Sequence, residues 1–375
     1  MKGRGVRSPR LGVAAAVALA ACGAAAGAAC GGETADSPWC GLSPVPAREK
    51  PGETPARATL SPIGEFALDA DSAPEGLSGV SWLGRSDAFA ADLFAFAEDS
   101  GGRVHFADVF FDAAIGAATG AAFRAVSTVP GAVDLEGVAF DSAACALWLS
   151  DEQGPALFRA AVSPGGTGGA PVLGAPSDER RLIPPALRRS RPNRSLEALC
   201  FDDASGILWT ASESAVEGDA PGIARIAAID PATGASREYT LALEEAPGAY
   251  MPPLPQPFTG LCALAALPGG RLLALERSFG YEIVAAEDGS AKQSLCRMTL
   301  SLVETEGAPP GGALRKTVLF RALSGDANYE GICLGPTLRD GARAVIAVAD
   351  GDVSRHGALE FRWRKSVAVF RLDGI

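Results

Sequence analysis

Two stretches decide how this chain reads: LEGVAFDSAACALWLSDE at residues 135–152 and LEALCFDDASGILWTASE at residues 196–213. Each is an apolar run, a turn rich in Asp, Ser or Gly, and a second apolar run that ends in an acid, which is the pattern of a β-hairpin. Related stretches begin at 74 (PEGLSGVSWLG), 259 (TGLCALAALPGGRLLALER) and 329 (YEGICLGPTLRDGARAVIAVAD). With the residue before the Gly or Ala as the mark, Glu75, Glu136, Glu197, Thr259 and Glu330 follow one another at intervals of 61, 61, 62 and 71 residues. Such a period suits a four-stranded propeller blade better than a helical repeat.

Further strand-like runs at 103–111, 223–229, 237–243 and 314–320 fill out the units. The last unit is short by one strand, and residues 58–68, upstream of the first unit, supply it. The expected fold class is therefore an all-β propeller of five blades, or six if one unit is subdivided, closed by strands from both chain ends. The chain is rich in Ala, which also suits helices. Against that, 45 Gly and 27 Pro punctuate it, and no apolar stripe of helical period is sustained along the body.

Ahead of this body, Lys2, Arg4, Arg7 and Arg10 precede an apolar run from Leu11 to Ala21. That is a signal-peptide pattern, too short to span a bilayer. It ends in Leu19-Ala20-Ala21-Cys22, which resembles a lipobox, so residues 1–21 are expected to be cleaved and Cys22 lipidated. Ordinary cleavage in the Ala-rich stretch after Cys22 is the alternative, and export follows either way. Residues 22–57, rich in Ala, Gly, Pro and Ser, read as a flexible tether, and residues 58–375 as the domain. The expected location is a membrane-anchored lipoprotein in the periplasm or at the cell surface.

The formal charge of −11 becomes −15 once residues 1–21 are removed. Nucleic acid is an improbable partner for such a chain, because phosphate backbones need clustered Lys and Arg. A monomer acting on a small phosphorylated substrate is expected. Of the eight cysteines, Cys30 and Cys40 lie in the tether and could pair. Cys145, Cys200, Cys262 and Cys333 sit among apolar residues and read as small buried hydrophobes. With two histidines in the chain, a His-rich zinc site is set aside.

In an antiparallel hairpin the start of one strand and the end of the next share a rim. Glu75, Glu136, Glu197 and Glu330 should therefore converge with Glu98, Asp99, Asp151, Glu152, Glu213, Glu276 and Asp350 in a funnel of carboxylates. Carboxylates about 6 Å apart repel by roughly 3 kcal/mol at an effective dielectric near 20, so something must offset them. Oxygen ligands without His or thiolate suit calcium. The expected metal set is Glu75, Asp151, Glu152, Glu213, Glu276, Glu330 and Asp350. Arg277, and further from the motif Arg103 and Arg194, could hold a phosphate beside such an ion, or Arg277 could serve as a plain ion-pair partner. No nucleophile elbow, P-loop or dinucleotide fingerprint is present in the sequence.

The ordered motifs GLSGV, DLEGVAF with LWLSDE, LEALCF with LWTASE, GLCALAAL with RLLALER, and NYEGICLGP with DGARAVIAVADGD are similar to the bacterial phytase-like family, esterase-like activity of phytase. The resemblance covers about residues 60–373. It implies a propeller and a phosphoester-hydrolysing activity, with Glu136, Asp151, Glu152, Glu197, Glu213, Glu276, Arg277, Glu330 and Asp350 as the functional residues carried by those motifs. Three departures stand out: Ala198 replaces Gly in the third unit, Thr259 replaces the acid in the fourth, and the closing motif is Ala349-Asp350-Gly351-Asp352 where the resemblance implies an Asp-Asn sequence. The leading expectation is a calcium-dependent phosphoesterase in which Glu136 or Glu197 orients the attacking water and Arg277 neutralises charge. A calcium-stabilised binding propeller without catalysis is the second, and a lactonase or other carboxylic-ester hydrolase the third.

Overall fold

The computed structural model describes residues 58–69, 72–86, 91–112, 114–164, 169–248, 256–283, 292–324, 327–351, 353–356 and 359–375. The signal-like segment, Cys22 and the tether lie outside these residues.

Five antiparallel sheets are arranged as a five-bladed propeller, and the strands Val353–His356 and Leu359–Arg362 form a separate two-stranded sheet. Blade 1 runs outward from Leu77–Ser86 through Ala91–Glu98 and Arg103–Phe111 to Ala118–Thr128. Blade 2 comprises Leu135–Asp141, Ala146–Asp151 and Ala156–Pro164, its outer edge made of the short pieces Pro171–Leu173 and Ser177–Asp178. Blade 3 comprises Leu196–Asp202, Ile207–Ser212, Ile223–Ile229 and Ser236–Ala242. Blade 4 comprises Phe258–Leu267, Arg271–Ile283, Lys292–Glu304 and Arg315–Leu323. Blade 5 comprises Asn328–Thr337, Arg343–Asp350 and Ser366–Asp373, and its outermost strand is Thr59–Ala67 from the other end of the chain. The ring closes as the sequence predicts, with Thr59 opposite Asp373 and Ala67 opposite Ser366.

Five apolar clusters hold the ring together, one at each junction between neighbouring blades. Both faces of the inner strands are covered, so these strands read as continuous apolar runs: all eight residues of Ala91–Glu98 and all seven of Leu135–Asp141 are buried. Small residues let the blades close in. A Cβ on Gly79 would lie 2.5 Å from the Glu136 carbonyl oxygen, and one on Gly137 would lie 2.5 Å from the Leu199 Cβ. The Ser78 hydroxyl crosses the junction and donates to the Leu135 carbonyl at 2.6 Å. The Ala content that argued for helices is spent here on close approach between sheets.

The structure corrects the phase of two repeat units. At the start of every innermost strand one residue is left unpaired in a β-bulge: Ser78, Glu136, Glu197, Cys262 and Glu330. The equivalent segments are thus LSGV, LEGV, LEAL, LCAL and YEGI, and the marks Glu75 and Thr259 each fall three residues early. Cys200, Cys262 and Cys333 are buried free thiols, as expected, and so is Cys296. Cys145 is not: it is disulfide-bonded, in a half-buried turn where its φ is +50°.

Candidate functional site

The two rims of the propeller are unlike. Described turns on one rim are short, such as residues 142–145, 203–206 and 268–270, whereas the other rim carries the long connections 179–195 and 351–365. On this second rim the hairpin of blade 4 keeps pairing as far as Ile283 opposite Lys292, and the small hairpin Val353–His356 with Leu359–Arg362 belongs to the same side. Phe279 meets Trp363 edge to face, with centroids 6.0 Å apart. Elaboration on one rim of a rigid scaffold makes it the candidate functional face.

The bulge residues stand at the mouth of the channel on that rim. Ser78, Glu136, Glu197 and Cys262 line a central cavity of about 10 Å³, room for roughly one water molecule or one bare ion. A bulge re-aims a side chain, and here it turns one residue per blade toward the axis. A second tier comes from the second strand of each blade, from the residue that follows the partner of the residue just before the bulge: Asp99, Glu152, Glu213, Arg277 and Asp350.

Strand alternation sends the preceding residue of each second strand to the other face, which removes part of the expected metal set. Asp151 accepts the backbone N–H of Val133 at 2.6 Å, of Asp134 at 3.1 Å and of Gln153 at 2.8 Å. Glu276 is fully buried and accepts from Lys316 Nζ and the Glu244 N–H, both at 2.6 Å. Glu98 is bonded to Arg103 and His105. Glu75 is exposed, with its carboxylate 3.9 Å from Lys365 Nζ. None of these reaches the cluster; Asp151 and Glu276 are structural acids, and Glu75 is a surface one.

The remaining residues interact as one group. Arg277 donates through Nη2 to Glu213 at 2.8 Å and through Nη1 to Glu330, with Asn328 Oδ1 at 3.4 Å. Asn328 donates to Glu330 at 2.9 Å and lies 3.4 Å from Asp350. Arg194 caps Glu213 from the other side at 2.8 Å, and the Ser195 N–H donates to Glu152 at 2.8 Å. Burial pushes Glu136 well above the usual carboxylate range, and Glu330, Glu152, Asp134 and Asp99 push it further. Glu197 is raised likewise by burial, then by Glu136, Glu213 and Glu152, with Arg277 in relief. Burial carries Glu152 to about 7 and Glu330 to about 8, the latter despite Arg277.

Asp134, which the sequence reading missed, completes the group. One oxygen each from Asp134, Glu136 and Glu152 lie within 4.8 Å of one another. Opposed ligands of a cation bound at about 2.4 Å are separated by that much, and the all-oxygen, high-charge donor set is that of a hard ion such as calcium. Asp134 stands in the bend just before the strand Leu135–Asp141, and its only signal in the sequence was its closeness to Glu136.

The fold and site define a five-bladed propeller whose channel mouth is ringed by buried carboxylates around one arginine. The model of the phytase-like family, described as esterase-like activity of phytase, matches residues 67–353, and the chain belongs to that family. No curated protein matches the sequence. Among solved structures, hydrazine synthase from Kuenenia stuttgartiensis is 11% identical, covering 74% of this chain and 77% of that one, with a TM-score of 0.33. U3-55K is 10% identical over 82% of this chain and 98% of that one, TM-score 0.35. A chain of a nidogen/laminin complex is 14% identical over 69% and 88%, TM-score 0.29. At these scores the likenesses carry no argument.

Proposed function

We propose that the chain is an exported hydrolase of phosphoesters whose carboxylate cluster holds a calcium ion, acting as a monomer on a small phosphorylated substrate. The observation that supports this reading is the convergence of Asp134, Glu136 and Glu152 on one ion-sized space in a member of a family described by esterase-like activity. A bound calcium would supply Lewis acidity at a phosphoryl oxygen. Glu197, next to the cluster and held protonated at higher pH than an ordinary Glu, positions a water at the mouth. Arg277 is engaged by Glu213 and Glu330, so it fixes the carboxylates in place rather than offering a free anion site. The reaction itself belongs above the cavity, since about 10 Å³ admits no organic substrate.

The test is hydrolysis of a phosphomonoester and of a carboxylic ester, each with calcium and with chelator. Glu136→Gln and Glu197→Gln should each lower calcium-dependent phosphomonoester hydrolysis about tenfold or more with no fall in melting temperature. Wild-type rates in both variants would overturn the assignment, and activity on the carboxylic ester alone would point to a lactonase-type reaction. The small cavity favours one other reading, in which calcium is a structural plug and the propeller only binds; the wild type then hydrolyses neither ester.

We also read residues 1–21 as a signal peptide and Cys22 as lipidated, which ties the domain to a membrane through its tether. Processed Cys22→Ser protein should leave the membrane fraction; processed mutant that stays there would sink the anchor.

A further inference from the structure

Residues 180–194, RRLIPPALRRSRPNR, hold six arginines and no acid in a chain with 44 acids against 33 bases. This segment joins blades 2 and 3 on the elaborated rim. Arg180 and Arg181 are paired with Asp178 and Glu179. The next arginines bond to carbonyl oxygens, which fix a guanidinium without cancelling its charge: Arg188 to Ile183 at 2.9 Å, and Arg189 to Glu217 at 3.0 Å. Arg191 is exposed and has no hydrogen-bond or ion-pair partner among the described residues.

Arg194 is built in. Its guanidinium carbon lies 3.6 Å from the centroid of the Phe258 ring, while Nη1 donates to Glu213. Glu213 also serves Arg277, so a single carboxylate is shared between two guanidinium groups. Arg194 is thereby held flat and oriented, with donors remaining beyond the one spent on Glu213. Arg191 and Arg194 form the wall of a cleft of about 340 Å³, completed by Ser214, Gln256, Pro257 and Phe258. The lining offers guanidinium, hydroxyl and amide donors and contains no carboxylate. A cleft of that size suits a small ligand, and its donors suit an oxyanion.

We propose that the Arg191–Arg194 cleft is an anion subsite that takes a phosphate group of a small ligand, separate from the carboxylate cluster beside it. Two guanidinium groups, one of them preset by stacking, receive the phosphate oxygens, with Ser214 and Gln256 as neutral donors. The subsite does not depend on hydrolysis, and it works in the absence of calcium.

The experiment is a calorimetric titration of pyrophosphate into the full chain in the presence of chelator, which removes metal-bridged binding. One molecule should bind per chain. Arg191→Glu, at an exposed residue that bonds nothing, should weaken binding about tenfold or more, and Arg194→Lys, which keeps the charge but loses the planar fork, should weaken it several-fold. Arg237→Glu, an equal charge change on the exposed outer strand of blade 3, should shift affinity less than about twofold. Absence of binding overturns the subsite, and so does an equal effect of Arg237→Glu and Arg191→Glu, which would make it a matter of net charge. Tighter binding of succinate than of pyrophosphate would overturn phosphate as the ligand. The outcome is independent of the hydrolytic reading: Glu136→Gln should retain pyrophosphate binding whatever it does to ester hydrolysis.

Discussion

At the scale of single residues, adjacent charged residues on one strand end have opposite fates because a strand alternates. Glu276 is buried with Lys316 as its ion-pair partner, while the next residue, Arg277, enters the channel group. Lys316→Met would strand a buried carboxylate and should destabilise the fold by about 3–5 kcal/mol in denaturant unfolding, with calcium affinity unchanged. A loss below about 1 kcal/mol would mean that water or Glu244 already satisfies Glu276. Composition made the acids visible, but not their sorting. Asp151 and Glu152 are neighbours of equal chemistry in the sequence, and the difference between capping a loop and facing the channel lies in strand parity.

At the scale of elements, the inner strands are defined by the unit Leu/Tyr-x-Gly/Ala and its bulge rather than by the acid. Aligning on the acid recovered the blades and their order, and placed Glu136, Glu197 and Glu330 correctly. It misplaced blades 1 and 4, where the bulge residue is Ser78 or Cys262 and an unrelated Glu75 or Thr259 stands three positions earlier. An odd slip flips the face of a strand residue, so the error removed those residues from the channel altogether. Bulges leave no compositional mark, which is why the sequence could not announce them. The tight approach they permit is testable. Gly79→Ala puts a Cβ 2.5 Å from the Glu136 carbonyl and 3.0 Å from the Val138 nitrogen, both backbone atoms of the next blade. It should cost about 1–3 kcal/mol in unfolding experiments. A neutral result would show that the blade 1–2 junction relaxes to the spacing found where Ala198 and Ala263 occupy this position.

At the scale of the whole molecule, the channel concentrates charge that folding keeps out of water. In metal-stripped protein, Glu152 and Glu330 hold protons to about pH 7 and about pH 8, whereas the unfolded chain releases them near 4.5. Their contribution to stability is complete below about pH 4.5 and is lost as pH rises through the folded values. The melting temperature with chelator should therefore fall between about pH 4.5 and 8, and calcium should restore it most at the upper end. A chelated melt that rises across this window would contradict the buried cluster. The closing pair of strands bears on something different, the direction the molecule looks. Ala67 and Ser366 meet on the rim of the channel mouth, so Thr59 and Asp373, at the far end of the same ladder, sit on the opposite rim. The chain thus enters the propeller from behind. The first strand of the ring therefore starts on the rim behind, and the mouth with its arginine-lined cleft opens on the rim away from that start.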